Sequence, residues 1–162
     1  MKKRTLILLI MLSSLSLMAQ QWKYEKLNDT FNGEFHITYI EGIGEYRYSS
    51  PVFGLRYYVN EQNFTFLLYN VIPAFCQELD IKIAFDKSGH IFEITDISLS
   101  NDNDTWFFSY DQYLIDEIKS NNKMIIRLST GCSQSDYIFN LNNSTKSIEL
   151  FFKNINKYLI TE

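Results

Sequence analysis

Apolar and polar residues alternate along most of this chain, most cleanly over residues 123–141, KMIIRLSTGCSQSDYIFNL. Met124, Ile126 and Leu128 share one face of a first arm, and Tyr137, Phe139 and Leu141 share one face of a second. A polar turn carrying Cys132 joins them. A period of two describes strands with one buried and one wet face, so the segment predicts an antiparallel hairpin.

The same reading organises the residues before it. Residues 22–27 predict an edge strand. Residues 34–43 place Phe35, Ile37 and Tyr39 on one face, with Glu34, His36 and Thr38 on a polar one. Residues 52–60 turn Phe53, Leu55, Tyr57 and Val59 inward, and 64–70 return with Phe64, Phe66 and Leu68, a meander. Ile81, Ile83 and Phe85 mark a further half-buried strand, Asp86-Lys-Ser-Gly89 a turn, and 91–99 a single strand pairing back. A polar loop at 100–104 precedes the apolar run WFFSY.

The period changes twice. Over 109–122, Tyr110, Tyr113, Leu114 and Ile118 recur at helical spacing, with Ser109 or Asp111 able to cap the start. Over 144–159, Ile148, Phe151, Phe152, Ile155, Tyr158 and Leu159 form one apolar stripe. The expected fold is mainly β, an antiparallel β-sandwich or flattened barrel. A short helix precedes the last hairpin and an amphipathic helix closes the C-terminus.

Composition agrees: 11 Tyr and 13 Phe against 6 Gly and 2 Pro favour strands. The first 19 residues stand apart. Lys2, Lys3 and Arg4 precede an apolar run from Leu6 to Met18, and Ala19 offers a small residue for cleavage. That layout is a secretory signal peptide, and the run is shorter than the ~20 residues that span a bilayer. Leu17, three residues before the cut, is bulkier than usual. The expectation is a signal peptide over 1–19 and one exported β-rich domain over 20–162, periplasmic or secreted, with no membrane span.

Losing Lys2, Lys3 and Arg4 from the 15 basic residues leaves 12 against 19 acidic ones, a net charge of −7. Such a chain lacks the basic footprint that nucleic acid or an anionic membrane requires. In an exported protein, two cysteines make a disulfide between Cys76 and Cys132 the expectation. It closes a loop of about 57 residues, worth about 4 kcal/mol in the chain-entropy model.

Site chemistry is sparse. The two histidines are His36, with Glu34 two residues before it on the same face, and His90 beside a turn glycine. A catalytic metal needs three or four ligands, which neither offers. Ser129, Ser133 and Ser135 lack a base at a defined spacing, and Asp102-Asn103-Asp104 lacks the glycine and glutamate of a calcium loop. No cofactor is expected. What remains is aromatic: Tyr46, Tyr48, Tyr58 and Tyr69 fall opposite the predicted core or in a connector, with Arg47 and Arg56 among them. Exposed Tyr with Arg is the composition of a protein- or glycan-binding surface; the competing reading is a second covered sheet face.

From Leu55 onward the order of features resembles small exported β-rich domains, including those of accessory proteins encoded in type VI secretion loci. The features are LRYYVN, a strand ending at Phe85-Asp86, Trp106, the helix around 114–118, the strand containing Ile125-Ile-Arg-Leu128, and Tyr137-Ile-Phe-Asn-Leu141. That resemblance implies an interaction module without catalytic residues. Three functions are therefore carried forward. The first is an exported, non-catalytic binding protein. The second is a periplasmic inhibitor or immunity-type protein that presents the 129–136 turn to a basic enzyme. The third is a small hydrolase built on carboxylates or His36.

Overall fold

The computed structural model describes residues 21–29, 33–44, 50–71, 79–100 and 105–159. Its strands are β1 (Lys23–Asp29), β2 (Gly33–Glu41), β3 (Val52–Tyr58), β4 (Asn63–Tyr69), β5 (Leu79–Phe85), β6 (Ile91–Ile94), β7 (Ile97–Leu99), β8 (Thr105–Ser109), β9 (Lys123–Thr130) and β10 (Gln134–Asn140). Its helices are α1 (Gln112–Ser120) and α2 (Ser144–Leu159). The strands form two antiparallel sheets, one ordered β1-β2-β3-β4-β8-β7, the other β10-β9-β5-β6. Among the described residues no closed barrel forms. The fold is a β-sandwich of unequal layers with a C-terminal helix.

Alternation explains why the layers face each other. Phe53, Leu55 and Tyr57 of β3 and Phe66 and Leu68 of β4 are buried, as are Ile81, Ile83, Met124, Ile126, Leu128, Tyr137 and Phe139 of the smaller sheet. Phe53 is the meeting point. Its ring lies 5.7 Å from Phe66 and 6.2 Å from Phe108 in its own sheet, and 6.0 Å from Phe139 across the sandwich. Each such ring buries enough apolar surface to stabilise the fold by roughly 1.5–3 kcal/mol, and edge or offset ring pairs add to that.

A four-stranded sheet leaves part of a six-stranded one bare, and the helices cover the remainder. Asp111 caps α1, its carboxylate accepting from the Tyr113 and Leu114 amides. The Ser144 hydroxyl, at the start of α2, donates to the Ile118 carbonyl at 2.8 Å, and Thr145 donates to that of Lys119 at 3.0 Å, so one helix is moored to the other. Ile148, Phe151 and Ile155 of the predicted stripe are buried, and α2 lies over β1 and β2.

Two strand assignments differ from the pattern reading. Residues 91–99 are not one strand. β6 pairs with β5 in the smaller sheet, whereas β7 pairs with β8 in the larger, and the chain crosses between layers at Thr95 and Asp96. The sign is in the phase, because inward Phe92 and Ile94 are followed by Ile97 at an odd step, which no continuous strand permits. In β2 the polar face is the inner one. Thr38 pairs beside Leu55 and His36 beside Tyr57, so Phe35, Ile37 and Tyr39 point outward.

The sheets also join at one corner. Past the end of β2, Ile43 exchanges two 2.8 Å backbone hydrogen bonds with Ile138 of β10. Gly42 permits the approach, since a Cβ there would sit 2.6 Å from the Phe139 ring and 2.9 Å from the Ile138 carbonyl oxygen. Gly42→Ala should therefore lower stability by about 1–3 kcal/mol, the usual cost of forcing atoms into a packed core. Urea unfolding of variant and wild type measures this; an unchanged midpoint would mean the corner opens freely.

Candidate functional site

Three places gather chemistry-bearing side chains. The first is the outer face of the larger sheet. Register puts Ile37, Arg56, Thr65 and Ser109 in one row across β2, β3, β4 and β8, and Gly54, Leu67 and Phe107 in the next. The Arg56 guanidinium is held between two rings, 4.2 Å from the centre of Tyr58 and 4.5 Å from that of Phe107. Cation–π contact of this kind is strongest where the partners are partly shielded from water, and all three side chains are half-buried. Phe35, opposite Tyr58 across β2 and β3, packs against it at a tilt, 5.4 Å between ring centres.

Beside this stack opens a cavity of about 420 Å³, and Phe107 forms part of its wall. Asn63, Thr65, Asp96, Ser98, Ser109 and Tyr110 bring polar groups to it, and Phe64 and Phe108 complete the wall. Ser109 donates to Asp96 at 2.8 Å, which ties β8 to the crossover between layers. The cavity thus exists because the chain changes sheets at Asp96.

Of the residues singled out by sequence, Arg56, Tyr58 and Tyr69 lie on this outer face. Arg56 and Tyr58 touch, while Tyr69, 42% exposed, stands two rows away beside Val52 and Thr105. Tyr46, Arg47 and Tyr48 lie outside the described residues, as does Cys76. Cys132 occupies the exposed turn between β9 and β10, where the Thr130 hydroxyl accepts from the Ser133 amide at 3.1 Å and braces the loop. Asp96 and Phe107 carry no site signal in the sequence pattern, and Ser109 figures there only as a possible helix cap. WFFSY is apolar without clear alternation, and the crossover that brings Asp96 to Ser109 is tertiary.

The second place lies beneath α2. His36, predicted to face water, is 1% exposed. It is satisfied rather than orphaned: the Tyr24 hydroxyl meets Nδ1 at 2.7 Å, and Glu34 Oε1 meets Nε2 at 3.2 Å. Glu34 also takes an ion pair from Lys26 at 2.6 Å and a hydrogen bond from the Tyr158 hydroxyl of α2. Thr38 bonds Ser147 at 2.9 Å along the same seam. The Lys26 bond above all, with that of Tyr158, holds the Glu34 carboxyl down to about 2, and burial lowers the His36 imidazole below its ordinary value. Enclosed by Tyr24, Glu34 and Tyr158, the ring serves as a structural connector between helix and sheet.

The third place pins the β5–β6 turn to α1. Glu117, 7% exposed, accepts from Asn121 at 2.8 Å and meets His90 at 3.0 Å, and Tyr113 reaches the same imidazole. The His90 bond is the main cause of a lowered Glu117 carboxyl. Among the described residues no three His, Cys, Asp or Glu side chains converge as a metal site.

No protein-family model and no curated protein matches the chain. A structural match does exist. The crystal structure of invasion associated protein B from Bartonella henselae superposes with a TM-score of 0.60, covering 85% of this chain and 96% of that one at 6% identity. At that identity the likeness concerns the fold alone: a small, β-rich domain.

The seam under α2 makes stability depend on pH with a defined sign. With His36 lowered in the folded state, the unfolded chain binds the proton more readily, so stability falls as pH drops below the free imidazole value of about 6.5. Glu34 contributes stability above about pH 4.5 that is lost as pH falls towards about 2. Urea midpoints should decline from about pH 8 to about pH 5, and His36→Gln should flatten that slope even if it costs stability outright. An identical slope in wild type and variant would remove His36 as the cause.

Proposed function

We propose that this chain is an exported, non-catalytic binding protein that meets its partner with the outer face of the larger sheet. The observation that carries the reading is the Arg56 guanidinium held between Tyr58 and Phe107, the latter ring also forming part of a cavity wall. Arg and Tyr are enriched among the residues that dominate binding energy at interfaces, because they offer large contact area and directional donors. Here the rings also fix the guanidinium, so little side-chain freedom remains to be lost on binding. Export is supported by residues 1–19, whose basic start, apolar run and Ala19 have the order of a signal peptide.

A disulfide between Cys132 and Cys76 belongs to the same reading. Support comes from register: Leu79, three positions after Cys76, pairs with Thr130, two positions before Cys132. The bridge would anchor the segment leading into β5 to the exposed turn. Cys132→Ser should lower the stability of the oxidised protein by up to about 4 kcal/mol. Equal thermal melting of oxidised wild type and variant would remove the bridge.

A second reading rests on that turn. Residues 131–133 are exposed and braced by Thr130, as a loop inserted into a basic enzyme would need to be, and a net charge of −7 after signal removal would speed association with such a target.

Affinity capture from host envelope and medium fractions separates the two. If the outer face binds, Arg56→Gln should reduce the captured partner about tenfold or more while a Ser133→Ala turn variant captures normally. Loss confined to the turn variant would transfer the function to the turn. Equal capture by all three proteins would overturn both readings.

A further inference from the structure

We propose that the cavity between β4, β7 and β8 is a saccharide subsite that takes the hydroxyl edge of a neutral sugar, with Phe107 against the sugar's C–H face. The inference rests on the outer-face binding reading and deepens it by naming the ligand. The cavity volume of about 420 Å³ lies within the range of small-ligand sites, roughly 300–1,000 Å³. What lines it decides the class.

Its walls offer every hydrogen-bonding role that a row of hydroxyls requires. Asp96 accepts only, Asn63 both donates and accepts, Thr65 and Ser98 each do either, and Ser109, whose proton goes to Asp96, still accepts. Asp96 spends Oδ2 on Ser109, and a carboxylate has capacity for further donors. A hydroxyl is the group that satisfies acceptor and donor walls together. An apolar ligand would leave these groups without partners, at a penalty for each. A divalent cation would find a single carboxylate, short of the six or more oxygens that calcium takes.

Phe107 supplies the other half of the recognition. Sugar C–H bonds carry partial positive charge, and an aromatic face is negative. The Arg56 guanidinium, itself fixed by Tyr58, covers one face of the ring, so the platform is set before a ligand arrives and the other face is the one a sugar would meet. The charge of the site selects among sugars. Asp96 at the cavity and a net charge of −7 after signal removal disfavour uronates and sulfated polymers, the Arg56 guanidinium being engaged by the Tyr58 and Phe107 rings, and this leaves neutral glycans. A protein anchor would instead need a wholly apolar pocket for a large side chain, and this cavity sets an amide, hydroxyls and a carboxylate beside the rings of Phe64, Phe107, Phe108 and Tyr110.

The test is binding of the purified, oxidised protein to cello-, xylo-, manno- and malto-oligosaccharides, with polygalacturonate as the anionic comparison, read by calorimetry and affinity electrophoresis. At least one neutral member should bind. Asp96→Ala should weaken it about tenfold, and Phe107→Leu, which keeps apolar bulk without the ring, should do likewise. Lys146→Ala, on α2, should bind as wild type. Melting curves check that each variant is folded. Retention of no neutral member, equal binding by Asp96→Ala, or preference for polygalacturonate would each overturn the proposal. If sugars fail while Arg56→Gln still abolishes capture of a protein partner, the saccharide assignment falls and the outer-face reading stands. If both fail, both fall.

Discussion

Phe53 is the contact on which the sandwich depends. Its ring touches Phe66 and Phe108 within its own sheet and Phe139 across the gap, so burying it joins the two layers in one event. Trp22, 6.4 Å away and edge-on, adds the start of β1 to the same cluster. Rings of this size fill the space between sheets with few contacts wasted, which suits a chain rich in Phe and Tyr and poor in Gly. The corner at Gly42 follows from the same packing, because only a residue without a side chain lets β2 reach Ile138 beside the Phe139 ring.

The unequal width of the sheets sets everything else. Where the smaller sheet stops, α2 covers β1 and β2 with a mixed seam in place of a purely apolar one. A buried imidazole is costly unless its nitrogens are bonded, and Tyr24 and Glu34 bond both. Glu34 is in turn fixed by Lys26 and Tyr158, so the seam reaches from an exposed lysine to the last turn of the helix. Such a network specifies the docking position of α2 more narrowly than apolar contact would, and makes that position sensitive to acid.

The crossover at Thr95 and Asp96 has the opposite consequence. It sends the chain from the edge of one sheet to the edge of the other and leaves a polar recess bounded by Asp96, Ser98 and Ser109. The recess adjoins the Arg56 stack through Phe107. Strands thus carry Arg56, Tyr58, Phe107 and Ser109, while Asp96 is held at the crossover by its bond to Ser109.

How much of this was legible without coordinates varies by element. The hairpin of β9 and β10, the meander of β3 and β4, and both helices follow from periodicity, since buried faces must repeat every second or every third to fourth residue. A mainly antiparallel β fold with a closing helix was therefore readable, while the choice of a sandwich over a flattened barrel came from the strand order. Which face of β2 turns inward was not, because His36 and Thr38 become acceptable core residues only once Tyr24, Glu34 and Ser147 stand opposite them. Nor was the split of 91–99, where a phase slip after Ile94 was the sole signal. The sequence by itself determined the elements, their buried stripes and the acidic charge, all of which depend on near neighbours. Only the tertiary structure decided that Arg56 lies between Tyr58 and Phe107 and that Asp96 meets Ser109, because those pairs come from different strands and exist only through register.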